Sequence, residues 1–172
     1  MKKQAANIPY VPVVGFEKAV RVHRDAKVGD PLDKAALDRR GVSGNTYYQV
    51  VNALKFLNII DQNKRITENL AVWNNGQDGK RKIIQTAYKP LFGKLKLPSK
   101  DNGPIKKSIK DIYKMADSVV LLSTTFFVWA ARQGGLDVLE GDQNGVPRRG
   151  RGAKPGLARR RVGRPRKMAY PM

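Results

Sequence analysis

Cysteine is absent from the 172 residues, so neither a disulfide framework nor a thiolate metal site is available. Histidine occurs once, at His23. A lone imidazole without clustered carboxylates makes a poor metal site, and His23 reads as a residue on a helix face. Long apolar runs are also missing. The longest, VVLLSTTFFVWAA over 119–131, falls short of the roughly 18 residues that a spanning helix needs, and Asp117 and Arg132 fence it. It reads as a buried core helix. No Gly-x-Ser-x-Gly elbow and no His-Glu-x-x-His occurs. GQDGKRK, from Gly76 to Lys82, lacks both the glycine spacing of a phosphate loop and its Ser or Thr after the lysine. The acids are scattered near expected helix starts, where capping accounts for them. These absences point away from an enzyme and call for no metal or cofactor.

Acid is missing altogether from the C-terminal end. After Asp142 there is none, while the last thirty residues hold ten of the 34 basic side chains, with five glycines and four prolines. The remaining 24 basic residues face 14 acids, so the body carries about half of the +20 formal charge. A charge this high attracts polyanions, with nucleic acid first and an anionic membrane surface second. The end is too polar and too rich in Gly and Pro to bury a core, so 142–172 is expected to be a disordered basic tail. At the other end, MKKQAANIPYVPVVGF has two lysines, but Pro9 and Pro12 interrupt the apolar run. No export signal is expected there, and the expected location is cytoplasmic and nucleoid-associated.

The body divides by pattern into an extension over 1–12, a first half over 13–75 and a helical half over 76–141. Val13, Phe16 and Val20 recur at helical spacing and predict a helix over 13–26. Asp30 as a cap and Pro31 in the first turn predict a short helix to about Arg39, ended by Gly41. Ser43 opens the next helix, whose core stripe is Tyr47, Val50, Val51, Leu54 and Leu57. Its other side carries amides and aromatics where charges are usual, including Phe56, which needs a partner to pack on. Two β-prone pieces around Ile59-Ile60 and 65–67 flank the polar turn 61–64 and read as a hairpin. NNGQDGK, from Asn74 to Lys80, reads as a loop. A helix over 80–97, split by Pro90, then one over 105–115 and the apolar helix complete the body.

Helix, short helix, glycine turn, amphipathic helix and hairpin follow the order of a winged helix. The expected fold is therefore mainly α with a small β wing: a winged helix-turn-helix followed by a helical second half. The runs IPYVPVVGFEKAV, GVSGNTYYQVVNALKFLNIIDQNKRITE and AYKPLF, with the apolar last helix, resemble a bacterial domain family of unknown activity. The resemblance covers about 8–137. It implies a winged-helix-like first half and a helical second half, and no site residues.

A helix entering the major groove needs polar side chains near its N-terminal end. Asn45, Thr46, Tyr48, Gln49 and Asn52 have that character, with Lys55 at the flank and Lys64 and Arg65 on the wing. Asn and Gln pair bidentately with adenine, and Tyr and Lys reach phosphate. A solvated helix face, or one that docks a protein, would carry the same residues. The apolar 119–131 helix is a candidate homodimer interface as well as a core helix.

In the tail, RVGRPRK over 161–167 resembles an AT-hook, the minor-groove motif best known from high-mobility-group A proteins. Gly163 lets the backbone lie on the floor of a narrow A·T groove, and Pro165 holds it extended. Arg159, Arg160, Arg161, Arg164, Arg166 and Lys167 meet the concentrated negative potential. Val162 departs from the pattern. Arg148, Arg149, Arg151 and Lys154 form a second, degenerate copy in RRGRGAKPG, with Gly152 where proline should stand. The expected partner is double-stranded DNA, A·T-rich by preference. A protein-interaction module tethered by its tail, or an RNA or ribosome binder, is the alternative.

Overall fold

The computed structural model describes residues 8–140, and the chain over that span is mainly helical. Helix α1, Val13–Val22, starts where Pro12 turns out of an extended conformation and its carbonyl accepts from Gly15 and Phe16. It ends at Val22 and not near Ala26, because His23 leaves helical geometry. The His23 side chain is 6% exposed, which corrects its reading as a helix-face residue. Nδ1 lies 3.0 Å from the Ala19 carbonyl, and Nε2 lies 2.8 Å from the Asp33 amide. A carbonyl only accepts and an amide only donates, so Nδ1 carries the proton and Nε2 accepts. The neutral ring thus ties the end of α1 to the start of α2, Lys34–Arg39.

That start also differs from expectation. Asp33, not Asp30, caps α2, its carboxylate accepting from the Ala36 amide at 2.9 Å. Asp30 closes the preceding turn by accepting from Lys27. Pro31 lies outside the helix and forms an antiparallel bridge with Arg65. Gly29 and Leu32 donate to Ile66 and Lys64, and Ile66 donates to Asp30, so the missing proline donor falls where none is needed.

Helix α3, Gly44–Phe56, buries Tyr47, Val50, Val51 and Leu54, with Leu57 just beyond, as its spacing predicts. Ser43 holds the N-cap position without a side-chain capping bond. The expected wing is reduced to single bridges, Ile60 with Ile66 and Pro31 with Arg65, and no sheet forms among the described residues. The paired pieces are too short for a ladder. One Arg65 amide bond goes to the Asp61 side chain, and Lys64 takes the left-handed conformation at φ 60.

Helix α4 is Glu68–Asn74, and α5, Gln77–Ala87, occupies much of the stretch expected as a loop. Gly79 explains the misreading. A side chain there would collide with the Val72 carbonyl, so glycine serves close helix packing and not a turn. Pro90 splits the following run as expected, giving α6, Lys89–Phe92. Helix α7 is Gly103–Tyr113, and α8, Asp117–Gln133, is helical along its apolar run. Asp117 is its first residue, and Ala116 holds the cap position. No single helix among the described residues is long and apolar enough to cross a membrane.

One hydrophobic cluster runs from Ile8 to Val138 and joins both halves. Phe16 meets Trp73, Phe126 and Trp129 edge-on, with centroids 5.5, 5.1 and 5.7 Å away. Phe56 finds its partner in the second half, the Tyr88 ring at 4.8 Å. Tyr88 also packs on Phe127. The Tyr88 and Tyr113 hydroxyls are buried without hydrogen-bond partners.

Two outcomes follow for stability. Phe16→Ala leaves a cavity under three rings and should cost about 3–5 kcal/mol in urea unfolding. Burial, with Tyr113 adding to it, pushes the Tyr88 hydroxyl well above its ordinary 10.0, and burial pushes Tyr113 to about 12. Both are raised relative to the unfolded chain. Their contribution is therefore intact below 10 and is lost as pH climbs through about 12. Tyr88→Phe, which deletes an unpartnered hydroxyl, should leave stability at neutral pH unchanged or higher and flatten the alkaline loss. Unfolding midpoints measured between pH 8 and 12 check this.

Candidate nucleic-acid interface

Helix α3 is aimed by what it buries. Its apolar stripe packs inward, and α1 crosses it where Gly15 leaves room: a Cβ on Gly15 would sit 3.2 Å from the Thr46 methyl. Thr46 therefore faces α1 and is half-buried, so it is a packing residue more than a contact for a ligand. Asn45 and Asn52 are exposed, Tyr48 is 64% exposed, and Gln49 beside them is half-buried. Neither the three amides nor the Tyr48 hydroxyl has a hydrogen-bond partner among the described residues.

The flanking cations sort into two kinds. The Lys55 ammonium donates to the Gln62 carbonyl at 3.0 Å, and the Arg65 guanidinium donates to the Gly29 carbonyl at 2.9 Å. Both hold loops in place, which the sequence pattern did not disclose. Lys64 does reach the helix, with Nζ 5.7 Å from the Tyr47 ring centroid. Lys34, which spacing alone did not single out, joins it at 5.6 Å from the same ring. Tyr48 contacts Tyr47 edge-on at 5.5 Å. Two cations from segments thirty residues apart therefore converge on the Tyr47 ring in the N-terminal half of α3.

Aromatic and basic residues also meet elsewhere. Trp73 and Trp129 differ in burial: Trp73 is 4% exposed and Trp129 is half-buried. Together with Phe16 they line a cleft of about 240 Å³, whose wall also includes Arg21, Arg24 and Lys80. Among the described residues no group of three His, Asp or Glu side chains is placed to hold a metal ion.

The tail positions lie outside the described residues. These are Arg148, Arg149, Arg151 and Lys154 in the degenerate copy, and Arg159 to Arg161, Gly163 to Arg166 and Lys167 in the hook-like one. Comparison with protein-family models, with curated proteins and with solved structures finds no match.

The α3 edge separates binding from folding. Asn45→Ala and Asn52→Ala remove side chains that bury little, so each should shift unfolding free energy by no more than about 0.5 kcal/mol, whereas Tyr48→Ala also loses the edge-on contact with Tyr47 and should cost about 0.5–1.5 kcal/mol. Thermal or urea melts of the three variants check this, and Thr46→Trp, which would press into α1, should cost more than any of them.

Proposed function

We propose that the chain is a non-enzymatic DNA-binding protein, acting in regulation of transcription or in nucleoid organisation. Helix α3 would lie in the major groove and the basic C-terminal arm in an adjacent A·T-rich minor groove. The convergence of Lys34 and Lys64 on the Tyr47 ring, in the N-terminal half of α3, carries the reading for the body. A groove-reading helix needs polar side chains at that end and cations placed for the flanking phosphates. The order α1, α2 and α3, followed by a turn closed by the single Ile60–Ile66 bridge, is the order a winged-helix reading would require. For the arm the support is the sequence alone: ten cations, no acid and the Gly163-Arg164-Pro165 core.

The two parts differ in what they supply. Neutralising each phosphate steepens the salt dependence by about 0.9 in log–log slope, whatever the sequence. Joining the two parts in one chain makes the second contact intramolecular and multiplies weak affinities. Selection from random duplex DNA, with the full chain and with residues 146–172 deleted, tests the division. Deletion should weaken binding more than tenfold, lower the salt slope and remove an A·T bias. Combined Asn45→Ala, Gln49→Ala and Asn52→Ala should remove any longer motif while leaving the slope nearly unchanged. Unaltered preference in the triple variant would instead favour a body that docks a protein while the arm alone holds DNA. Tighter binding to structured RNA than to A·T duplex at equal salt would favour an RNA role.

A further inference from the structure

The cleft between α1, α4, α5 and α8 has a floor and a rim of different chemistry. Trp73 and Trp129 lie with ring centroids 6.4 Å apart and planes tilted by 35°, and Phe16 braces both edge-on. Phe16 and Trp73 are buried, so the half-buried Trp129 is the ring whose face this floor leaves open. The rim carries Arg21 and Arg24 from the end of α1 and Lys80 from α5, with Lys80 Nζ 6.0 Å from the Trp73 centroid. None of the three forms an ion pair among the described residues. A single carboxylate, Glu17, also lines the wall. At about 240 Å³ the space is smaller than the roughly 300–1,000 Å³ of pockets that enclose a whole drug-sized ligand. It suits one planar ring, with the charged remainder of the molecule left at the mouth.

We propose that this cleft binds a nucleotide, its base against the half-buried indole of Trp129, with Trp73 beneath, and its phosphate among Arg21, Arg24 and Lys80. Base–aromatic stacking tolerates any base, because each has a π-face. Three cations at the mouth select a phosphorylated ligand over a neutral aromatic one. Glu17 accepts from an exocyclic amine and so favours adenine or cytosine over uracil or thymine. The ligand is either a free nucleoside phosphate or one unstacked nucleotide of a single strand. The site shares no residue with the α3 edge and stands whether or not that edge reads DNA.

Both tryptophans of the chain line this cleft, so intrinsic fluorescence of the full-length protein reports on it directly. AMP should quench the emission saturably, adenosine and UMP should act only at several-fold higher concentration, and inorganic phosphate should leave the emission unchanged. Combined Arg21→Ala, Arg24→Ala and Lys80→Ala should weaken AMP at least tenfold while the melting curve and the basic arm stay intact. A short single-stranded oligodeoxyadenylate that quenches at lower concentration than AMP identifies the ligand as a strand. The reverse order identifies a free nucleotide. Absence of saturable quenching by both probes, or quenching that persists at wild-type affinity in the triple variant, overturns the proposal.

Discussion

Phe16 is fully buried, and three other aromatic rings meet its ring at 5.1 to 5.7 Å. One partner comes from α4 and two from α8, so a residue near the start of the chain joins helices that are far apart in sequence. A second relay runs from Phe56 at the end of α3 through Tyr88 to Phe127, with Phe92 behind it. Aromatic pairs contribute about 0.5–1.5 kcal/mol each beyond their area burial. Their greater effect here is geometric. Because α1 is pinned to α8, and the end of α3 to the α5–α6 junction, α3 has one permitted rotation, and that rotation presents Asn45, Tyr48 and Asn52 outward.

The same cluster creates the cleft. Trp73 and Trp129, each edge-on to Phe16 and tilted to one another, form its floor, and Arg21, Arg24 and Lys80 line its margin. Packing thus generates a polar-rimmed recess as a by-product of joining two halves of one core. The α3 edge arises differently, by exclusion: its residues are too short and too polar to be drawn inward. Two surfaces with different origins are then open to substitution independently of each other.

Much of this was legible from spacing. The α3 stripe from Tyr47 to Leu57, the break at Pro90, the helicity of the apolar run and the need of Phe56 for a partner all follow from local periodicity. What escaped depends on tertiary bonds. His23 shortens α1 because its imidazole finds Asp33, ten residues on, and the same bond helps set where α2 begins. Gly76 and Gly79 mimic a loop, whereas Gly79 lies within α5 and lets it approach α4. Lys55 and Arg65 look like free cations in a sequence and prove to be committed to carbonyls. Lys34 was missed because its relation to Tyr47 crosses a turn that no helical period spans. The Thr46 side chain points to α1 for a reason held by another residue, the missing Cβ of Gly15.

The commitment of Lys55 and Arg65 bears on how affinity and discrimination would divide under the proposed function. With those two occupied, the other cations that reach α3 are Lys34 and Lys64, both over the Tyr47 ring. Two phosphate contacts would contribute a log–log salt slope of only about 2, too shallow for firm non-specific binding at physiological salt. The arm over 143–172 holds ten cations and no acid, so it is the part with enough charge to supply that affinity. A helix edge lined by amides adds little binding energy against water, yet it penalises a wrong base by about 1–3 kcal/mol per bidentate pair. Under the proposed function a weakly charged α3 edge and a strongly charged arm would therefore be complementary. If the edge carried the arm's charge it would hold every sequence too tightly to discriminate, and without the arm it would seldom remain on DNA long enough to read any.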